Sequence, residues 1–342
     1  MRWARRAGPL IVAWEPVNPG LARGLRTPSF SVSRSARATL LTHRLGAAQI
    51  DNDLGDRIAS ELVRPGLVSD FEAAFAGVVA CTAADPLAAW ERFYARTLTG
   101  LVDESRAGTG AIATFGAIYR HALGLVVGDS LLDTGSCFGF LCLLAAERGL
   151  QTTGTDACAA TIALAARVAA RRGSPASFQR ADVRERLPAR ADTVSALHLL
   201  EHLAPGDVDR ALARLCAAAR RRVIVAVPLE RRPDPTYGHR GAFELATLRS
   251  HGARVPGWRA TVHEHRGGWL VLDRAPARKH LGDGRLADGR RAQSRTFAHD
   301  AGAARAGKQH ARAGGPLIQE VRVELGEQPV GPRRDQTDEL AT

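Results

Sequence analysis

The stretch "SLLDTGSCFGFLCLLAAERG", residues 130–149, decides how this chain is read. Apolar residues lead into an acid, glycines follow, and an apolar run ends at Gly149. That pattern predicts a strand, a tight turn and a helix. Asp133, Gly135 and Gly139 fit D-x-G-x-G-x-G, with Cys137 in the place of the middle glycine. Whether the turn cradles a nucleotide or merely joins two elements depends on the residues C-terminal to it.

Five more strand-like runs follow or flank the helices: 151–156, 176–182, 192–200, 222–228 and 267–274. Helix-like runs at 137–148, 157–172 and 204–220 lie between them, with Gly149 and Gly173 as C-terminal caps of the first two. This alternation predicts an α/β fold, a doubly wound and mostly parallel Rossmann-like sheet with helices on both faces. Ligands bind such a sheet beyond the carboxyl ends of its strands, where Gly135 and Gly139 leave room that a Cβ would fill. Asp156 ends the second strand, 23 residues after Asp133, where an acid can accept from both ribose hydroxyls. Asp182 closes the third strand, placed to meet the amine of an adenine. A single acid of this kind is as often a helix cap or turn residue. Three at successive strand ends, with the glycines, are far more specific. A dinucleotide site would want G-x-G-x-x-G, and Cys137 and Phe140 both depart from it.

Over about residues 110–274 the pattern resembles the class I S-adenosylmethionine-dependent methyltransferases. The resemblance implies S-adenosylmethionine as cofactor, with Asp133 and Gly135 near its amino acid part and Gly139 allowing close approach. Cys137 sits in the same loop, Asp156 holds the ribose, and Asp182 and Val183 border the adenine. After the fourth strand comes "ALHLLEHLAP" (196–205), which looks like the small-molecule enzymes of the class rather than those acting on bases. An alkyl hydroxyl acceptor must lose its proton, and histidine is a suitable base. His202 is the first candidate and His239, in "YGHRGAF", the second. His198, in an apolar run, fits a core or cofactor-lining role better than catalysis. The "HEH" of His263 and His265 is too sparse for a metal site, both are expected at the surface, and no metal is predicted.

A narrower likeness rests on "DPLAAWERFYARTL", "GSCFGFL", "HLLEHL", "YGH" and "HRGGWLVLDR". Together they resemble the mycofactocin oligosaccharide methyltransferases, whose acceptor is a glucose hydroxyl. On that likeness Cys137 is an expected feature. The competing readings are a methyltransferase for a quinone-like or lipid acceptor, and a non-catalytic cofactor-binding partner subunit.

Charge argues against a nucleic-acid partner despite a net of +12. Residues 1–50 hold +7 and 275–342 hold +3, leaving +2 for 51–274, and 45 of the 47 cations are Arg. In an Ala- and Gly-rich chain that balance is an effect of composition rather than a phosphate-binding surface. The five cysteines form no C-x-x-C pair and read as reduced thiols of a cytoplasmic protein. No apolar run reaches the roughly 18–20 residues of a membrane span, and no signal peptide is expected. The expected acceptor is a small molecule or oligosaccharide, and nothing sets the oligomeric state. The expected organisation is an N-terminal segment, partly disordered or with short strands (1–50), a helical cap (51–125), the cofactor-binding catalytic domain (126–274) and a largely disordered tail (275–342).

Overall fold

Period-2 apolar patterning begins earlier than the sequence suggests. In the computed structural model, which describes residues 4–14, 24–105 and 110–275, the chain opens on five short strands. These are β1 (Ala4–Ala7), β2 (Leu10–Trp14), β3 (Leu25–Arg26), β4 (Phe30–Arg34) and β5 (Thr39–His43). They form one sheet in the order β1-β2-β5-β4-β3. Leu10, Val12, Phe30, Val32 and Leu41 alternate along it and are buried on one face. The short strands expected in 1–50 are thus five and form a sheet; their number is hard to read because each is short and sits among arginines. The tail expected at 275–342 lies outside the described residues from 276 onward.

Four helices follow: α1 (Leu54–Ile58), α2 (Phe71–Ala80), α3 (Pro86–Val102) and α4 (Ala111–Leu125). Asp70 caps α2 by accepting from the Ala73 N–H at 2.8 Å, and Asp85 caps α3 ahead of Pro86. Gly77 lets α2 lie directly on the first sheet, since a Cβ there would come 2.4 Å from Val12 Cγ2.

The second sheet holds β6 (Ser130–Thr134), β7 (Gln151–Asp156), β8 (Ser177–Arg180), β9 (Ala191–Leu197), β10 (Ala219–Val227), β11 (Trp258–Glu264) and β12 (Gly268–Arg274). Its order is β11-β12-β10-β9-β6-β7-β8. Strands β6 to β10 pair in parallel, and β12 lies antiparallel between β10 and β11. The intervening helices are α5 (Phe140–Glu147), α6 (Ala159–Arg171), α7 (Val208–Ala218) and α8 (Leu245–Ala253). The chain runs outward from β6 to β8, then returns to β9 on the other side of β6. The carboxyl ends of β6 and β9 therefore flank a topological switch point, where open α/β sheets bind ligands.

Strand β11 is absent from the sequence reading. It is an edge strand with mostly exposed side chains, so it lacks an apolar signal. It also moves His263 off the bare surface: His263 Nε2 lies 2.8 Å from His121 Nε2, and its ring stacks on Trp269.

The two parts of the chain share one core. Phe75 of α2 and Trp90, Phe93 and Tyr94 of α3 pack against Phe138 and Phe140, with ring centroids 5.0–6.3 Å apart. Phe138 sits inside the glycine turn itself, so the N-terminal helices grip the turn from behind. No helix of the described residues is long and apolar enough to cross a membrane.

Candidate active site

The backbone of the turn after β6 is unusual at every second residue. Gly135 and Gly139 have φ of +67° and +73°, and Cys137 between them has +48°. A side chain at positive φ is disfavoured for lack of room around Cβ, so Cys137 holds a conformation that glycine would take more easily. Two contacts hold it there. Its N–H donates to Asp156 Oδ2 at 3.0 Å, and its side chain is buried beside the Phe138 cluster. The other Asp156 oxygen, Oδ1, accepts from the Cys158 N–H at 2.9 Å. Asp156 thus ties the first turn to the end of the second strand.

A cavity of about 320 Å³ opens at these strand ends. One wall is Thr134, Gly135, Asp156, Asp182 and Val183; the opposite wall is Leu199, His202, Tyr237, Gly238 and Arg240, with Glu72 of α2 at the rim. A larger cavity, about 450 Å³, lies at the amino ends of β6, β7 and β9, lined by Ser130, Gln151 and Ala191. That is the wrong end of a parallel sheet for a ligand, and no carboxylate or histidine lines it.

Several expected site residues lie off the cavity. Asp133 is buried, and its Oδ1 accepts from Ser195 Oγ at 2.6 Å. Burial pushes its carboxyl up to about 7, against that hydrogen bond and with the charge of Asp156 adding to the rise. Gly139 does not open onto ligand space, because a Cβ there would meet the Phe178 ring at 2.3 Å. Its service is close packing of the helix start against β8. Phe178 carries no signal in the sequence, since its role depends on a strand forty residues away. His198 is also displaced from the cofactor side. At φ +53° it follows the last residue of β9, faces Phe115 at 5.1 Å and sets Nδ1 3.2 Å from Glu201 Oε1. Asp182 lines the cavity, but Arg184 grips both its oxygens and holds its carboxyl below the usual range.

His202 and His239 are brought together, although 36 residues separate them. The Arg240 and Gly241 N–H groups donate to the Glu201 carbonyl at 2.7 and 2.9 Å, docking one loop on the other. The two imidazole rings then stand 5.1 Å apart, nearly perpendicular. Burial pushes His202 down to about 4, opposed by the charge of Glu201. His239 is raised despite its burial, because Glu230 Oε2 lies 2.8 Å from its Nδ1. Glu230 and Glu201 are functional candidates that sequence reasoning does not single out. Glu201 is fully buried, and one ligand atom from each of Glu201, His202 and His239 lies within 4.8 Å of the others.

Residues 131–222 match the family described as "Methyltransferase domain". This segment is similar to methyltransferase domains. The methyl donor that goes with it is S-adenosylmethionine, and the site fits that cofactor. The Asp156 carboxylate stands on the cavity wall, and Gly135 keeps the turn free of a side chain that would collide with Leu199 at 2.8 Å. No curated protein matches the chain. Among solved structures, magnesium protoporphyrin IX methyltransferase from Synechocystis PCC 6803, with bound SAH, is similar. It shares 17% identity over 53% of this chain and 94% of its own, with a TM-score of 0.40. A TehB-like SAM-dependent methyltransferase from Corynebacterium glutamicum gives 16% identity, 55% and 99% coverage, and a TM-score of 0.40. The pyocyanin biosynthetic protein PhzM gives 18%, 48% and 57%, and 0.40.

Proposed function

We propose that the chain is a cytoplasmic S-adenosylmethionine-dependent O-methyltransferase acting on a sugar hydroxyl, with a glucose of mycofactocin oligosaccharide as its acceptor. One observation carries the hydroxyl: His202 lines the wall facing the cofactor-type carboxylates, and behind it stand buried Glu201 and His239, with half-buried Glu230 against His239. An amine or thiolate acceptor needs little of this. A sugar hydroxyl is a poor nucleophile at neutral pH and must lose its proton as it attacks. Tyr237, Arg240 and Glu72 around the same wall suit a polyhydroxylated acceptor.

S-adenosylmethionine, when bound, supplies an electrophilic methyl group on a sulfonium. The residues of this chain do the rest. In the proposed arrangement Asp156 accepts from the ribose, while Asp182 and Val183 border the adenine. Asp133 and Cys137 support the turn from behind rather than touching the ligand. The acceptor hydroxyl stands against His202 and His239, and its proton leaves on that side. Residues 51–125 cap the acceptor end, with Glu72 as their reach into it. Much of the rate comes from holding the two reactants in line.

Incubation with S-adenosylmethionine and mycofactocin glycosides, followed by mass spectrometry, tests the proposal. It expects the mass of one methylene added to a hexose. Transfer to a quinone or lipid instead would replace the acceptor assignment. Cofactor binding with no transfer to any hydroxyl would favour a non-catalytic subunit.

A further inference from the structure

We propose that Glu201, His202 and His239 hold one divalent first-row transition-metal cation at the acceptor end of the cavity. The placement comes from the unsatisfied atoms. Glu201 is a carboxylate with no exposure; neither oxygen has a well-formed hydrogen bond, and His198 Nδ1 stands 3.2 Å from Oε1. An ionised carboxylate so deeply buried needs a compensating cation or a set of donors. His202 Nε2 and His239 Nε2 are likewise buried and without partner. One ligand atom from each of the three residues lies within 4.8 Å of the others, close enough to converge on one ion.

The tautomer of His239 is already set for ligation. Glu230 Oε2 lies 2.8 Å from Nδ1 and accepts from the Nδ1–H, which leaves the lone pair of the neutral ring on Nε2. A carboxylate orienting the far nitrogen of a ligating histidine is a recurrent support around protein metals. Two imidazoles and one carboxylate suit zinc, iron, cobalt or manganese in the divalent state, and three protein donors leave positions open for a substrate oxygen.

The cation's task rests on the hydroxyl-transfer reading; its site does not. An acceptor hydroxyl beside the ion would release its proton to solvent more readily. Its oxygen lone pair would then form the new C–O bond to the methyl carbon. The C–S bond breaks, its electron pair stays on sulfur, and the sulfonium becomes a neutral thioether. This gives His202 and His239 the role of ligands rather than free bases.

The test uses the untagged full-length chain, stripped with a chelator and titrated with Co²⁺ by calorimetry and visible absorption. One equivalent should bind with the ligand-field bands of nitrogen and oxygen ligation. His202→Ala, His239→Ala and Glu201→Gln should abolish the bands, and Glu230→Gln should weaken binding about 10–100-fold. S-adenosylmethionine affinity, measured on each variant, reports folding independently. A wild-type chain that binds S-adenosylmethionine but neither Co²⁺, Zn²⁺ nor Mn²⁺ overturns the proposal. So does stoichiometric Co²⁺ binding that survives in all three ligand variants. Co²⁺ binding without any S-adenosylmethionine binding would uphold the metal site and strike the transfer reading instead.

Discussion

The two walls of the cavity are built on different principles. The cofactor-side wall takes Gly135, Asp156, Asp182 and Val183 from the ends of three successive strands, each fixed by its own strand and turn. The acceptor-side wall comes from two loops, 199–203 and 237–240, joined by backbone donors of one that bond the Glu201 carbonyl of the other. Such a division lets one wall keep a common cofactor while the other changes acceptor. Among the groups lining or backing the acceptor-side wall, Glu201, His202 Nε2 and His239 Nε2 are buried without partners.

The sharpest way to separate the walls is His239→Ala. Turnover should fall about 10²–10⁴-fold with S-adenosylmethionine affinity nearly unchanged, read by steady-state kinetics and calorimetry. An equal loss of cofactor affinity would mean that the two walls are not independent. Trp90→Ala probes what stands behind the cofactor wall. Truncating this fully buried ring should cost about 3–5 kcal/mol of stability in denaturant unfolding. Because Trp90 packs 5.5 Å from Phe138 in the glycine turn, cofactor affinity should weaken too. Unaltered affinity in the folded variant would show that the N-terminal helices do not brace the turn.

The smallest expected effect concerns pH. Asp133 has a folded-state pKa of about 7 against an ordinary value of 3.8. Between those values the native chain holds a proton that the unfolded chain has lost, so stability falls as pH rises through that window. Asp133→Asn should flatten this part of the stability curve of the cofactor-free protein. A slope unchanged by the substitution would place the titrating group elsewhere.

Legibility in the sequence divides along the same two walls. The order of β6, β7, β8, β9, β10 and β12, and the acids Asp133, Asp156 and Asp182, can be read because local apolar runs, turn glycines and spacing carry them. Gly139 can be found but not explained, since its neighbour Phe178 is visible only in three dimensions. The pairing of His202 with His239, and the entry of Glu201 and Glu230, cannot be read from spacing at all. They depend on one loop docking on another. His198 reads as cofactor-lining because the apolar run carries β9 through residue 200, whereas the strand ends at Leu197 and the backbone turns at positive φ. The first sheet is legible only as short strands, because runs of two to five residues among arginines give too little period to count or pair them.

Calorimetry on two variants tests most directly whether the cofactor wall binds S-adenosylmethionine through Asp156. Asp156→Ala removes the carboxylate that both faces the cavity and holds the Cys137 N–H, and should weaken binding by about 1–3 kcal/mol. Asp182→Ala should cost less, because Arg184 already occupies that carboxylate. Unchanged affinity in a folded Asp156→Ala protein, or a larger loss at Asp182 than at Asp156, would contradict the account.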